Sequence, residues 1–168
     1  FTDAAGNDNT ATTSSKFSWS YDDTPPTVVI TATNVGGNVL DEGTSSYASV
    51  TLSFTISEAT TDFTVEDVSV TGGTLSNFTS SSSTVYRTTF TSAAAGSNSV
   101  EVSSDKFTDA AGNGNIASGI FNWIYSVSVA TLTVDKMSIP ENGTAIITAS
   151  LSPLSVQDIT LTFTTSGT

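Results

Sequence analysis

Apolar residues alternate with polar ones in several short segments of the chain, and this pattern predicts β-strands. The clearest case is the segment 50–56, in which every second residue is apolar: Val50, Leu52, Phe54 and Ile56. A period of two is typical of a strand with one face in the core and the other in water. The other predicted strands are 28–32, 63–70 with a bulge near Asp67, 75–78, 85–90, 100–102 and 121–125.

These strands predict the fold class, which is all-β. No segment shows the 3.6-residue period of an amphipathic helix, so we expect almost no helix. Seven short strands with turn-rich connections predict an antiparallel β-sandwich of the immunoglobulin (Ig) type. The chain contains 31 Thr and 28 Ser residues. We expect these residues to fill the outward positions, where Thr suits a pleated surface.

Two motifs occur twice, which predicts tandem Ig-like sandwiches. FTDAAGNDN at 1–9 returns as FTDAAGNGN at 107–115, and FSWSY at 17–21 returns as FNWIY at 121–125. A period of about 105 residues is the size of one small β-domain. We therefore expect residues 1–22 to close a truncated repeat, 23–126 to form a complete sandwich, and 127–168 to begin a third domain. The chain would then be part of a longer protein.

Composition excludes several functions. The chain has no Cys and no His, and its 16 acidic and four basic residues give a formal net charge of −12. It therefore lacks a thiolate nucleophile, an imidazole base, an ordinary zinc site and disulfides. The charge disfavours nucleic acid as a partner, and no apolar run is long enough to span a membrane. Paired carboxylates alone are weak grounds for a glycosidase, so we predict that the protein is not an enzyme.

The predicted topology brings scattered polar residues to one end of the sandwich. The loops after the second and sixth predicted strands, 57–62 and 105–115, lie at the end where the linker around Pro25 and Pro26 enters. We expect six residues from the linker and these loops to meet there: Asp22, Asp23, Glu58, Asp62, Asp109 and Asn113.

The order of the motifs resembles the bacterial Ig-like repeats of large secreted adhesins. The resemblance covers residues 1–126 and rests on FTDAAGN, FxWxY, DDTPPTV, ISEAT and DFTVEDVSVTGGTLSNF. It implies extracellular domains stacked into a stalk and stiffened by calcium between consecutive domains. Residues 127–168 resemble the opening strands of a calx-β domain, in which Glu141 matches a calcium-binding glutamate.

Calcium is the expected cofactor at the first junction, because it takes about six to eight oxygen ligands. The first-choice ligands are Asp23, Glu58, Asp109 and Asn113, and the second-choice ligands are Asp22 and Asp62. Alternatively, Asp109 and Asn113 only build a turn in which Gly112 takes a positive φ.

Other positions are expected to play smaller parts. Asp3, Asn7 and Asn9 hold the same motif positions in the preceding repeat. The second junction, 125–130, has no acid and no proline, so we expect direct packing or a continuous strand there. Asp41 and Glu42 are expected to be solvated, and Trp19 and Trp123 to be core or rim residues.

Three functions follow from the sequence. The first is a structural segment of a long extracellular adhesin, surface-layer or filament protein, rigidified by calcium. Its partners would be neighbouring domains of the same chain and, in a filament or layer, other copies. The second is assembly by strand donation, with 16–21 pairing with a neighbouring chain. The third is binding of carbohydrate or ice by a flat Thr-bearing face, which requires Thr in register across adjacent strands.

Overall fold

The computed structural model describes residues 1–8, 19–136, 139–140, 142–152, 160 and 162. Their regular structure consists of strands and one turn of 3-10 helix, Val65–Asp67. The strands are β1 (Val28–Asn34), β2 (Gly37–Val39), β3 (Gly43–Ser45), β4 (Ser49–Ile56), β5 (Val68–Thr71), β6 (Gly73–Ser82), β7 (Val85–Ser92), β8 (Gly96–Val102), β9 (Phe121–Tyr125), β10 (Val129–Val134) and β11 (Ile147–Ser152). No helix in these ranges is long and apolar enough to cross a membrane. The all-β prediction is confirmed.

Strands β1 to β9 form two sheets. The order of strands is β2-β1-β4-β7-β6 in the five-stranded sheet and β3-β9-β8-β5 in the four-stranded sheet. Neighbouring strands are antiparallel, except that β3 and β9 are parallel. This arrangement is an Ig-like sandwich, as the alternating apolar positions predict.

The core lies between the two sheets, because each long strand buries every second side chain. Buried and exposed residues alternate strictly along β1 and nearly so along β4 and β7. Phe90 of β7 and Trp123 of β9 come from opposite sheets, and their ring centroids are 4.8 Å apart in an edge-to-face contact. A second group of edge-to-face contacts surrounds Phe63, which meets Phe54, Phe78, Tyr86 and Phe107.

The predicted third strand is wrong in its first half. Phe63 is buried, but Val65–Asp67 forms the turn of 3-10 helix, and β5 begins only at Val68. The Asp67 carboxylate accepts hydrogen bonds from the backbone N–H of Thr64 (2.8 Å) and from its hydroxyl (3.0 Å). A side chain that bonds the backbone three residues earlier favours a helical turn over an extended strand. The expected bulge at Asp67 is this turn.

Three further features differ from the sequence prediction. Strands β2 and β3 lack an alternating apolar pattern, so they were not predicted. Strand β6 extends well beyond 75–78, because its Ser and Thr residues pair with β7. Asp41 is not merely solvated, since its Oδ1 accepts the N–H of Asn122 at 2.7 Å and so ties the turn before β3 to β9.

The structure of the chain ends leaves the predicted domain boundaries untested. Strands β10 and β11 form a separate two-stranded sheet, and the N–H of Ser126 bonds to the carbonyl of Ser45 at 2.9 Å. Trp123 is 1% exposed, as predicted, but Trp19 is 74% exposed, because no described strand pairs with it. Glu141, Asn9 and residues 16–18 lie outside the described residues. The three-domain division and the calx-β resemblance remain predictions.

Candidate metal centre

The linker is fixed to the sandwich at the end where β4 stops. The N–H of Thr27 bonds to the hydroxyl of Ser57 at 2.9 Å, and the N–H of Ser57 bonds to the carbonyl of Thr27 at 3.0 Å. Pro26 is fully buried, and its carbonyl accepts the N–H of Ile116 at 2.9 Å. The linker therefore lies between the loop after β4 and the loop after β8, as the topology predicts.

The loop containing FTDAAGN is shaped by the carboxylate of Asp109. Its Oδ1 accepts the N–H of Ala111 at 2.8 Å and the N–H of Asn113 at 2.9 Å. Its Oδ2 accepts the side-chain amide of Asn113 at 2.8 Å. Gly112 closes the turn with a φ of 93°, which glycine adopts easily. One carboxylate therefore organises the whole turn.

The same motif near the N-terminus folds in the same way. Asp3 accepts the N–H groups of Ala5 (2.9 Å) and Asn7 (3.0 Å) and the side-chain amide of Asn7 (2.9 Å). Gly6 has a φ of 87°. The turn therefore forms from its own sequence, and the alternative reading of Asp109 and Asn113 as turn residues accounts for this local geometry. A metal site at Asp109 therefore requires further ligands from outside this turn.

Three carboxylates from separate parts of the chain meet beside this turn. Oxygen atoms of Asp22, Glu58 and Asp109 all lie within 4.8 Å of one another. Asp22 comes from the linker, Glu58 from the loop after β4 and Asp109 from the FTDAAGN turn. Two oxygens on opposite sides of a calcium ion, each about 2.4 Å from it, are about 4.8 Å apart. The three oxygens are therefore close enough together to surround one ion.

The carboxylates repel one another in this arrangement. Burial and the negative charges of Asp22 and Asp109 raise the pKa of Glu58. The hydrogen bond from the Asn113 amide lowers the pKa of Asp109 and keeps it ionised. A divalent cation would remove this repulsion, because its positive charge favours the ionised form of every neighbouring carboxylate.

The other predicted ligands take different places. Asn113 lies beside the three carboxylates. Its amide nitrogen also donates to the backbone carbonyl of Asp22 at 3.2 Å and so joins the linker to the turn. Asp23, a first choice, is not one of the three grouped carboxylates, whereas its neighbour Asp22 is. Adjacent side chains of an extended backbone point in opposite directions, so two neighbouring aspartates do not both have to reach the same group of loops.

Asp62 holds the loops together and does not join the three carboxylates. It accepts hydrogen bonds from the hydroxyl of Thr60 (2.6 Å), the N–H of Thr108 (3.1 Å) and the hydroxyl of Thr108 (2.9 Å). Burial opposes its ionisation, but the bonds from Thr60 and Thr108 outweigh it and lower the pKa of Asp62. Its oxygens are therefore used to position the loop that carries Glu58.

The role of Asp62 predicts a pH-dependent stability. A carboxyl with a lowered pKa stabilises the fold above its unfolded pKa of about 3.9 and loses this effect as pH falls through its folded pKa. We expect Asp62→Asn to reduce the free energy of unfolding by about 1 kcal/mol near neutral pH, since the site is solvent-screened. The deficit should shrink towards about pH 2. Urea titrations in chelator, near neutral pH and at about pH 2, measure this deficit in the free energy of unfolding, with Glu66→Gln as the control. A deficit that is equal at both pH values would contradict this role of Asp62.

Asn115 is a structural residue that the sequence analysis missed. It is buried, and its side-chain oxygen accepts the N–H groups of Lys106 (2.7 Å) and Phe107 (3.1 Å). Its amide nitrogen donates to the carbonyls of Ser103 (2.8 Å) and Ile116 (3.0 Å). It closes the base of the FTDAAGN loop. The signal was present, because both copies of the repeated motif end in Asn.

Comparison with known proteins identifies the family. The family model for the bacterial Ig-like domain matches residues 22–127, which begin at Asp22 and include every residue of the candidate centre. No curated protein and no solved structure gave a match. The family is structural and gives no indication of catalysis. Since the match covers more than half of the sequence, the chain belongs to the bacterial Ig-like domain family.

Proposed function

We propose that this chain is a structural segment of a long extracellular protein, in which calcium fixes the junction between consecutive Ig-like domains. The observation that carries the proposal is the meeting of Asp22, Glu58 and Asp109. One of these residues belongs to the linker and the other two belong to loops of the sandwich. An ion bound by all three would tie the linker to the domain that follows it.

The donor set suits calcium better than other common metals. The centre offers carboxylate oxygens, and no Cys or His is present in the chain to bind zinc or copper. Calcium accepts carboxylates in one- or two-oxygen mode and tolerates irregular geometry. Asp22 and Glu58 would bind it through their carboxylates, and Asp109 would do so while it keeps the bonds that shape its turn. Water would complete the coordination shell.

The mechanical effect would come from restricting the linker. Thr24 already donates its N–H to the Asp22 carboxylate at 3.1 Å, and Pro25 and Pro26 limit the backbone beyond it. Binding of Asp22 to an ion shared with two loops would remove the remaining freedom of this segment. In a long protein, repeated junctions of this kind would hold successive domains in an extended line and place a terminal adhesive region far from the cell surface.

Hydrogen exchange tests this role. With calcium at about ten times its Kd, we expect amide exchange in the linker around Thr24 to slow about tenfold relative to chelated protein, because local opening must release the ion. The N–H of Gly36, bonded to the Asn34 side chain in the β1–β2 turn at the other end of β1, is the control and should not change. Equal linker exchange with and without calcium would show that the ion does not fix the linker.

A further inference from the structure

The outward side chains of the five-stranded sheet form a surface rich in hydroxyl groups, called here the hydroxyl face. Strand pairing aligns these residues in rows that cross the sheet. The longest row is Asn38, Thr33, Thr51, Thr89 and Ser76. On one side of it lies the row Ser49, Thr91 and Thr74. On the other side lies first the row Thr31, Ser53, Arg87 and Thr79, and then the row Val29, Thr55, Val85 and Ser82. The register required by the third sequence-based hypothesis is therefore present.

The rows form a regular pattern across β1, β4 and β7, which pair in continuous register. Adjacent strands in a sheet lie about 4.7–4.9 Å apart, and residues on one face recur roughly every 6.6–6.8 Å along a strand. Residues such as Thr51 and Thr89 are directly paired neighbours in the two central strands. Hydroxyls therefore recur at repeated spacings across β1, β4 and β7, as a polymeric ligand with repeated polar groups requires. In β6 the register shifts after Ser76 and after Ser80, so its residues are offset from this spacing.

Most of these hydroxyls are available to a ligand. Among the described residues, the hydroxyls on this face that bond to another side chain are those of Ser49 with Thr91 at 3.3 Å, and Ser82 with Thr84 at 3.2 Å. Thr33, Thr51 and Thr89 line a shallow depression of about 360 Å³ at one side of the face. A hydroxyl both donates and accepts hydrogen bonds, so it suits the hydroxyl groups of sugars.

The charge of the hydroxyl face differs from that of the whole chain. None of the residues in its rows is acidic, although the chain contains 16 acidic residues. The single Arg of the sequence, Arg87, lies in one of the inner rows between Ser53 and Thr79. A guanidinium binds a carboxylate through two parallel hydrogen bonds. The face therefore has a positive centre within a neutral, hydrogen-bonding surround.

We propose that the hydroxyl face binds a polysaccharide that contains uronic acid residues. Arg87 would bind a carboxylate of the sugar chain, and the Thr and Ser rows would bind its hydroxyls. The rows contain no aromatic side chain, so recognition would depend on hydrogen bonds and charge. Ice fits less well, because the long, charged side chain of Arg87 interrupts the rows. This proposal is independent of the calcium centre, which involves other residues.

Titration of the full chain with hyaluronate oligosaccharides, in chelator to exclude metal bridging, tests the proposal. Threonine methyl NMR should show shifts at Thr51 and Thr89, and Arg87→Gln should weaken binding about tenfold or more because it removes a charged hydrogen bond. Thr51→Val, which keeps the shape and removes the hydroxyl, should weaken binding less.

Two control variants make the same changes away from the hydroxyl face. Lys136→Gln removes the same charge elsewhere, and Thr44→Val makes the same exchange on the four-stranded sheet. Both controls should bind within about twofold of the parent chain.

Several results would overturn the proposal. Absence of methyl shifts, or equal binding by Arg87→Gln and the parent chain, would rule out a binding site centred on Arg87. Equal binding of neutral dextran would remove the uronate assignment. Inhibition of ice recrystallisation that persists in Arg87→Gln, without binding of hyaluronate, would assign the face to ice instead.

Discussion

Replacement of Trp123 with alanine will reduce the free energy of unfolding by about 3–5 kcal/mol, the usual cost of truncating a large buried aromatic residue. Trp123 is 1% exposed and makes an edge-to-face contact with Phe90 across the two sheets. Removal of the indole would leave a cavity at the centre of the core and end this contact. Denaturant unfolding measures the loss.

The repeated sequence supplies a matched control for this substitution. Trp19 occupies the same position in the FxWxY motif but is 74% exposed. We expect Trp19→Ala to change stability by less than about 0.5 kcal/mol. Trp123→Phe should cost less than Trp123→Ala, because it keeps an aromatic ring and removes an indole N–H that has no hydrogen-bond partner among the described residues. Equal losses at the two Trp positions would contradict the assignment of the core.

Removal of calcium is expected to lower the melting temperature substantially. A ligand that binds only the folded state stabilises it by about 2.7 kcal/mol at 100 times its Kd. For a domain of this size that corresponds to about 10 °C or more. Scanning calorimetry with excess calcium and with excess chelator measures the difference. The physical source is relief of the repulsion between Asp22, Glu58 and Asp109. Burial, together with this repulsion, raises the pKa of Glu58.

The Asp109→Asn variant separates calcium binding from general salt effects. It removes one charge from the centre and keeps one side-chain oxygen, which can still accept the N–H groups of Ala111 and Asn113. The bond from the Asn113 amide to the second carboxylate oxygen is lost. The melting temperature of this variant should respond little to calcium. Magnesium should stabilise the parent chain less than calcium, because it demands a more regular, smaller shell. Equal shifts in the parent chain and in Asp109→Asn would contradict binding at this centre.

Much of the sandwich was predictable because its central strands are half-buried. The alternation at 50–56 indicates β4 without ambiguity, and the aromatic residues of 121–125 indicate β9. The short strands β2 and β3 escaped prediction because each has three residues and Val39 is the single side chain among them that belongs to the apolar core. The turn at Val65–Asp67 escaped prediction because hydrogen bonds from Thr64 to the Asp67 carboxylate, and not the apolar pattern, determine the local backbone.

The candidate centre was predictable in position but not in every ligand. The positions of the repeated motifs and the predicted order of strands can both be read from the sequence. Together they bring the loops of Glu58 and Asp109 to the linker. Whether Asp22 or Asp23 faces the loops depends on the direction of single side chains in the linker. Asp62 illustrates the same limit, because only the folded loop shows that its oxygens already accept bonds from Thr60 and Thr108.

Calcium titration of two linker variants tests the central claim most directly. Asp22→Asn and Asp23→Asn remove the same charge from adjacent positions, but only Asp22 belongs to the group of three carboxylates. Isothermal titration calorimetry should detect calcium binding to the parent chain, with Asp22→Asn weakening it at least about tenfold and Asp23→Asn changing it less than about threefold. Absence of calcium binding to the parent chain, or equal weakening by the two substitutions, would contradict a calcium-bound junction built on Asp22, Glu58 and Asp109.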